Sequence, residues 1–344
     1  MPRLDRAAVA AALTVALTAA LTACGGGGGE SERPPNQPPP GRIAPVEAPY
    51  SLATTPEYFE QLDTAADEMK SYFGDFLPDG SLDSLNELRQ QPVAEWIGGD
   101  VGPETIGRTL AVTGLSIPVF VLYHIPDRDL DQFSAGGAEL AGEYYTWIDS
   151  VSGAIGAHTA VVIVEPDALP HMTEMDEYSA DQRAALLART LNTFAENNPN
   201  TAVYLDAGNS AWLTPVQTSN LLKQVSAKGA TIPGIALNVS NFQSEADSRA
   251  YSEAISKAYG EPLYTIIDES RNGAGAANRQ WCNPRWARTG TTIDNRFDPQ
   301  ERFEQLYIKR PGESDGVCGV SEARAGDFDA MLLWRLLGED QLVT

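Results

Sequence analysis

The chain has 344 residues, of which 42% are hydrophobic, enough to bury a sizeable core in one large domain or two ordinary ones. Its formal net charge of −23 disfavours binding to nucleic acid phosphates or to anionic lipids and suits a soluble protein with a neutral ligand. The three histidines, His124, His158 and His171, form no pattern with cysteines that is typical of a zinc site, so we predict neither a metal nor a cofactor.

The N-terminal residues have the pattern of an export signal. Arg3 and Arg6 precede an apolar run at 7–21, which is short for a membrane span and ends in Leu-Thr-Ala-Cys at 21–24. That ending resembles the lipobox of bacterial lipoproteins, in which cleavage precedes a cysteine that is then lipidated. We therefore expect a signal peptide at 1–23, a lipid on Cys24 as the only membrane contact, and a Gly- and Pro-rich tether at 24–49. The alternative is an ordinary signal peptide cut after Ala23, with a free Cys24.

Short apolar runs alternate with helical stretches from residue 50 onward. Helical stretches are predicted at 181–197 and 214–227, and the first has apolar side chains at helical spacing that core packing explains. Continuous β-branched runs are typical of strands buried on both faces, and they lie at 117–123, 159–164, 201–205, 234–239, 263–267 and 303–308. The alternation predicts a parallel α/β fold, either a barrel or a large doubly wound sheet, within one domain at 50–344.

Polar side chains follow the ends of these predicted strands. They include, in chain order, Asp127, Asp129, Glu165, Asp167, Asp206, Asn209, Asn238, Asn241, Asp268, Glu269, Lys309, Glu313 and Asp315. In parallel α/β barrels the carboxyl ends of the strands form the active-site face. A solvated rim is the alternative interpretation, because loops are polar in any protein.

The motifs of several enzyme classes are absent from the sequence. There is no Gly-x-Ser-x-Gly elbow, no phosphate-binding loop and no Gly-x-Gly-x-x-Gly after a strand. Convergent carboxylates fit either metal binding or glycoside cleavage, which needs one protonated carboxyl and a second carboxylate. Tryptophans outside the helical stretches are candidates to stack on sugar rings, whereas Trp147 and Trp334 are predicted core residues; the candidates are Trp96, Trp212, Trp281 and Trp286.

Seven segments in chain order resemble the motifs of glycoside hydrolase family 6, the inverting β-1,4-glucanases and cellobiohydrolases. The first reads Tyr-His-Ile-Pro-Asp-Arg-Asp at 123–129 and continues with Phe-Ser-Ala-Gly-Gly at 133–137. The others lie at 164–171, 204–208, 236–242, 270–273, 281–284 and 309–316. The resemblance implies a distorted seven-stranded parallel barrel that hydrolyses β-1,4-glucan or cello-oligosaccharides in a cleft at the strand ends.

The resemblance also implies a role for each catalytic position. Asp167 matches the general acid, and Asp129 matches the aspartate that raises its pKa and helps to position water. Asp206 matches a supporting acid, and Tyr123 matches a tyrosine that favours distortion of the sugar at the cleavage point. Asp315 matches a debated base, for which a direct role needs a carboxyl separation of about 6.5–9.5 Å from the acid. At a greater separation, a water chain that ends at Asp129 becomes the better account.

Substrate contacts and a disulfide carry over in the same way. Trp96, Trp212 and Trp281 match sugar platforms, and Lys309 and Glu313 match residues that bind glucose hydroxyls. The matched segments also bring Asn238 and Asn241 into the expected substrate-binding set. Cys282 and Cys318 match a family disulfide that would anchor the Asp315 loop.

Three departures from the family pattern bear on substrate preference. Leu130 stands where the family has a cysteine, and Asn209 stands where it has a histidine. The third is the polar segment at 289–304, before the last predicted strand, which contains no recognisable motif. The short connection between 273 and 281 favours an open cleft and therefore endo action. We expect an exported monomer. The alternatives are a lipoprotein that binds glucan or oligosaccharide with little or no cleavage, and a metal-dependent hydrolase or esterase.

Overall fold

Seven parallel strands form the central sheet of the computed structural model, and they follow one another across the sheet in chain order. They are β2 (Glu95–Ile97), β3 (Val119–Leu122), β4 (Ala160–Val164), β5 (Thr201–Asp206), β6 (Ile235–Leu237), β7 (Thr265–Asp268) and β9 (Phe303–Leu306). A separate antiparallel pair joins β1 (Tyr50–Ser51) to β8 (Arg296–Phe297). The pair gives a structural role to the polar segment before β9, because Phe297 is fully buried.

The structure describes residues 50–339 apart from 54, 77–79, 81, 100–101, 277–279 and 294. These residues all belong to one compact unit. The expected signal peptide, Cys24 and the tether lie outside the described residues. Within the described ranges, no helix combines the length and the apolar character that a membrane crossing requires.

The sheet curls into a distorted barrel, as the resemblance implied. The segments next to the two edge strands approach each other through a parallel bridge between Val93 and Tyr307, where the amide of Ala94 donates a 3.0 Å hydrogen bond to the carbonyl of Tyr307. The predicted seven-stranded parallel fold is therefore confirmed. Six of the strands coincide with the predicted apolar runs. The seventh, β2, has only three residues and contains the charged Glu95, so it gave no such run.

Eight helices are described around the sheet: α1 (Pro56–Phe73), α2 (Asp83–Leu88), α3 (Gly102–Thr113), α4 (Ala141–Ile155), α5 (Glu177–Asn197), α6 (Pro215–Ala227), α7 (Glu245–Tyr259) and α8 (Ala330–Leu336). Helix α5 begins four residues before the predicted start because Asp176 caps it, accepting hydrogen bonds from the amides of Tyr178 and Ser179. Helix α6 begins at a capping box between Thr214 and Gln217.

Alternate residues of each strand enter two different cores, which explains the unbroken apolar runs. Val162 and Val164 of β4 join the cluster that contains residues of α3–α7, whereas Val161 and Ile163 join the cluster that contains residues of α1 and α8. Burying both faces removes the alternation of polar and apolar residues that a half-exposed strand shows. The predicted core positions of Trp147 and Trp334 are confirmed, with exposures of 9% and 1%.

Candidate active site

The loops after β3 and β4 are held in strained backbone conformations. Positive φ angles occur at Asp129 (62°) and Leu130 (42°) in the first loop, and at Glu165 (49°) and Asp167 (68°) in the second. Aspartate tolerates the left-handed region better than most residues, but a leucine does not. Such strain persists only where the surrounding contacts impose it, and it is common at functional sites.

Arg128 fixes the loop that carries Asp129. Its guanidinium donates to the carbonyls of Tyr123 at 2.6 Å and Ser134 at 2.8 Å, and it lies 4.4 Å from the centre of the Tyr123 ring. The amide of Ser134 in turn donates to Oδ2 of Asp129 at 2.7 Å. Burial raises the pKa of Asp129, and this outweighs the lowering by the Ser134 hydrogen bond and the Arg128 charge.

Asp167 lies beside a second buried carboxyl at the end of β5. Oδ1 of Asp206 accepts hydrogen bonds from the amides of Asp167 at 2.9 Å and Gly208 at 3.1 Å. Oδ2 of Asp206 has no hydrogen-bond partner in the described part of the chain. Burial raises the pKa of Asp206 to about 7, against the two backbone hydrogen bonds, which lower it.

The electrostatic surroundings of Asp167 favour its neutral form. Burial raises the pKa of Asp167 well above its usual range, and the neighbouring carboxyls of Asp206, Asp129 and Asp315 raise it further, in that order. The family resemblance implied Asp129 as the neighbour with this effect. The structure gives the larger electrostatic contribution to Asp206.

Asp315 is bound to a buried arginine. Both of its carboxylate oxygens accept from Nη1 of Arg271 at 2.9 Å, and Oδ2 also accepts from the amide of Asn283 at 3.1 Å. The amide of Asp315 donates to Oδ1 of Asn283 at 2.9 Å. Asn283 follows Cys282, which forms the expected disulfide with Cys318. The disulfide is confirmed, and it anchors the Asp315 loop through Asn283.

Two adjoining cavities, of about 570 and 330 Å³, meet at the acids. Four residues line both cavities: Asp129, Asp167, Asn241 and Trp281. The larger cavity is also lined by the predicted residues Trp96, Tyr123, Lys309, Glu313 and Asp315. The smaller one is lined by Trp212, together with His171, Asn209 and Gln243. The structure therefore brings ten predicted site residues to one continuous cleft, with Asp167 where its two parts join.

The edges of the cleft carry aromatic rings. The Trp96 and Tyr123 rings are 5.4 Å apart and perpendicular, and the indole of Trp96 donates to the carbonyl of Ile308 at 2.9 Å. Nζ of Lys309 lies 5.7 Å from the centre of the Trp96 ring and 3.8 Å from Oε2 of Glu313. Trp212 contacts the ring of His171 at 5.0 Å. Burial lowers the pKa of His171 to about 4, so its imidazole is neutral near pH 7.

The structure does not bring Asn238 to the cleft, contrary to our expectation. Asn238 is fully buried, its Nδ2 donates to the carbonyl of Asp268 at 2.8 Å, and its Oδ1 accepts from the amide of Gln243 at 2.8 Å. Its hydrogen-bonding groups are thus used within the fold. Trp286, a candidate platform, packs at 5.5 Å against Phe242 and does not line either cavity.

Two buried carboxylates support the site, and the sequence gave them no individual role. Asp268 accepts from the amides of Ser240 and Ser270 at 2.9 Å, of Ile308 at 3.1 Å and of Lys309 at 3.2 Å, joining the ends of β6, β7 and β9. Glu165 accepts from the amides of His124 and Ile125 and from the hydroxyl of Tyr144, all within 3.1 Å. Both follow apolar runs, but the sequence does not show whether such an acid faces the cleft or the backbone.

Comparisons with known proteins show the family of this chain. The family model "Glycosyl hydrolases family 6" matches residues 49–331. Endoglucanase 1 of Streptomyces halstedii is 36% identical over 270 residues, which cover 75% of this chain and 82% of that protein. Endoglucanase A of Cellulomonas fimi is 36% identical over 248 residues, covering 70% of this chain and 52% of that protein.

A relative of known structure has the same fold as this chain. The endoglucanase Cel6 of Mycobacterium tuberculosis, whose structure contains methyl-cellobiosyl-4-deoxy-4-thio-β-D-cellobioside, superposes with a TM-score of 0.73 at 31% identity. The match covers 86% of this chain and 98% of that one. The Humicola insolens endoglucanase Cel6B, at 22% identity and a TM-score of 0.70, shows the shared fold alone. This chain therefore belongs to glycosyl hydrolase family 6.

Proposed function

We propose that this chain is an endo-acting, inverting hydrolase of β-1,4-glucosidic bonds in cellulose or a related β-glucan. One observation carries the proposal: Asp167, a carboxyl whose pKa is raised by burial and by three neighbouring acids, lies where two cavities with aromatic walls meet. A glucan chain that occupies both cavities would place a glycosidic oxygen beside this carboxyl. Asp167 then acts as the general acid and protonates the leaving oxygen.

The sugar-binding roles follow from the walls of the cleft. Trp96 lines the larger cavity, Trp212 the smaller one and Trp281 both, so the apolar faces of glucose rings on both sides of the cleaved bond contact an indole surface. Lys309 and Glu313 supply a donor and an acceptor for hydroxyls beside Trp96. Tyr123 lines the larger cavity with Trp96 and the acids, and it favours distortion of the sugar at the cleavage point. Asn241 lines both cavities, so it can contact the substrate on either side of the cleaved bond.

We assign the base function to Asp129, acting through water, and a positioning role to Asp315. Both oxygens of Asp315 accept from the Arg271 guanidinium, which is 1% exposed, so this carboxylate serves as the counterion of a buried cation. Protonating Asp315 would leave that buried cation without its counterion. Among the described residues, Asp129 forms no such ion pair with a buried cation, and burial raises its pKa, which makes it a stronger base.

The named relatives favour endo action. Endoglucanases match this chain at 34–36% identity, whereas fungal proteins named as cellobiohydrolases match at 26–30%. The alternative, a surface protein that binds glucan without cleaving it, is not favoured, because Asp129, Asp167 and Asp315 line one cleft and the buried Asp206 holds the Asp167 amide.

We also propose how the protein is exported and anchored. The motif at 21–24 supports cleavage before Cys24 and attachment of a lipid there, with 24–49 as a tether and 50–344 as one catalytic domain, acting as a monomer. Mass spectrometry of the N-terminal peptide from membrane fractions tests this, with Cys24→Ser as the matched variant. A soluble parent protein with an unmodified Cys24 contradicts the lipid anchor. The monomeric state is tested separately, by size-exclusion chromatography with light scattering.

Hydrolysis by the protein without residues 1–24 tests the catalytic proposal. Carboxymethyl cellulose and cello-oligosaccharides are incubated with the parent and with Asp167→Asn, and the anomer of the first product is followed by NMR. We expect activity in the parent, near-complete loss in the variant and the α-anomer first. A β-anomer contradicts inversion, and binding without turnover of any β-glucan supports the binding protein instead.

A further inference from the structure

The larger cavity extends beyond the side chains used above to a part of helix α1. Glu57 and Gln61 of this helix line it, together with Glu95 of β2. None of the three lines the smaller cavity, whereas Asp129 and Asp167 line both. A set of polar side chains therefore lies in the Trp96 part of the cleft, away from the junction where cleavage is proposed.

Helix α1 is firmly attached to the segment that carries Lys309 and Glu313. The hydroxyl of Tyr58 donates to the carbonyl of Pro311 at 3.0 Å, and Tyr58 and Leu62 are fully buried. Nη2 of Arg310 lies 3.4 Å from Oε2 of Glu57. Because rigid elements hold binding groups more precisely than loops do, α1 presents Glu57 and Gln61 in a fixed position relative to Lys309 and Glu313.

The charges at this end of the cavity suit a neutral polyhydroxyl ligand. Arg310 contacts three carboxylates: Glu95 at 2.7 Å, Glu313 at 3.3 Å and Glu57 at 3.4 Å. With Lys309 included, three carboxylates face two cations, so an anionic ligand would be repelled. The side chain of Glu57 is 63% exposed, so it has carboxylate surface open to the donated hydrogen bonds of sugar hydroxyls.

Gln61 brings a second polar side chain to this end of the cavity. It lies one helical turn after Glu57 on α1, is partly exposed and lines the same cavity. A side-chain amide can both donate hydrogen bonds to sugar hydroxyls and accept them.

We propose that Glu57 and Gln61 form an additional glucosyl subsite of this cleft, which binds a neutral β-1,4-linked glucose unit beyond the one beside Trp96. The subsite rests on the proposed function for its ligand class, but it concerns binding rather than catalysis. It makes the enzyme favour longer chains, because a chain long enough to reach the subsite gains the hydrogen bonds made at α1.

Calorimetric binding to the full chain in mild detergent tests the subsite. The inactive Asp167→Asn background is titrated with cellotriose to cellohexaose, alone and combined with Glu57→Ala or Gln61→Ala. We expect affinity to rise with chain length in the background, and each added variant to lower cellohexaose affinity about fivefold, as loss of about one hydrogen bond implies. Cellotriose affinity should change less than twofold, roughly within the effect of a surface substitution.

Glu60→Ala is the matched control, because Glu60 is exposed on the same helix and does not line the cavity. Unchanged cellohexaose affinity in both variants overturns the subsite. An equal loss for cellotriose and cellohexaose also overturns it, since that indicates general damage to the cleft. If the parent cleaves no β-glucan but the length-dependent loss is present, the subsite stands and the catalytic proposal fails. If no cello-oligosaccharide binds, both fail.

Discussion

The backbone amide of Asp167 donates a 2.9 Å hydrogen bond to Oδ1 of Asp206, which fixes the proposed acid beside a buried carboxyl. The contact has two opposite electrostatic consequences. The hydrogen bond lowers the pKa of Asp206, but burial raises it to about 7, so Asp206 ionises only near neutrality. Once ionised, its negative charge raises the pKa of Asp167. Asp206 thus helps Asp167 to keep its proton at the pH where the acid must act.

Replacing Asp206 by asparagine should move the alkaline limb of the pH profile. Asp167 works while protonated, so kcat/KM falls as the pH rises through its pKa. An asparagine keeps an oxygen that accepts from the amides of Asp167 and Gly208 but removes the negative charge, so the pKa of Asp167 falls. We expect the alkaline limb of kcat/KM on cellopentaose to shift to lower pH by about one unit.

Two further variants provide a comparison for the size of this shift of the alkaline limb. Asp129→Asn should move the alkaline limb in the same direction by less, because Asp129 contributes less than Asp206 to the raised pKa of Asp167. Asp67→Asn, an exposed position on α1, should leave it in place. An unchanged alkaline limb in Asp206→Asn would show that burial alone keeps Asp167 protonated.

The acidic limb should distinguish the two candidate bases. If Asp129 accepts the proton through water, kcat/KM falls as the pH drops through its raised pKa, and Asp129→Asn removes that limb. We expect Asp129→Asn to lower kcat about 100-fold. Asp315→Asn should reduce activity but keep the acidic limb, because the proton acceptor remains.

Thermal unfolding supplies a second difference between these variants. Asp315→Asn leaves Arg271, 1% exposed, without its counterion, which costs about 3–5 kcal/mol of unfolding free energy. Asp129→Asn breaks no ion pair of this kind and should cost much less. Loss of the acidic limb in Asp315→Asn alone would assign the base to Asp315 instead.

The fold and the positions of the acidic residues at the strand ends could be predicted from the sequence for a physical reason. Strands buried on both faces require unbroken apolar runs, and parallel strands must bring their carboxyl ends to one edge. The runs before Glu165 and Asp206 therefore located the site. Strand β2 could not be found this way, because Glu95 interrupts it and is stabilised by Arg310, which is 215 residues away in the chain.

The directions of individual side chains could not be predicted in the same way. Asn238 and Asn241 follow the same strand, yet one is buried against Asp268 and the other lines the cleft. Similarly, Asp268 and Asp167 both come at the end of apolar runs, but Asp268 accepts four backbone hydrogen bonds, whereas Asp167 lines the cleft. Such differences depend on φ angles and on contacts between distant loops, which local sequence patterns do not record.

Removing the disulfide should loosen the Asp315 loop. Cys282 and Cys318 are 36 residues apart, and replacing both by serine should lower the free energy of unfolding by about 3 kcal/mol. Because Asn283 holds Asp315 through two hydrogen bonds, kcat should fall as well. Urea denaturation and kinetics on cellopentaose measure both effects, and reduction of the parent should reproduce them. A variant with parental activity would show that Asn283 and Arg271 hold the loop without the disulfide.

Glu165 should matter for its shape and hydrogen bonds more than for its charge. Burial raises the pKa of Glu165 to about 7, so a neutral side chain is already accessible near neutrality. Glutamine retains an oxygen for the amides of His124 and Ile125, and the Tyr144 hydroxyl can turn to accept from the new amide. Glu165→Gln should therefore stay within about threefold of the parental kcat, since a neutral hydrogen bond replaces a charged one with modest loss.

Glu165→Ala leaves these donors unsatisfied, at about 1–3 kcal/mol each, and should lower both the melting temperature and kcat. Tyr144→Phe, which removes one donor, is the matched control and should fall between them. An alanine variant with parental kcat would show that the loop carrying Asp129 is positioned by Arg128 alone.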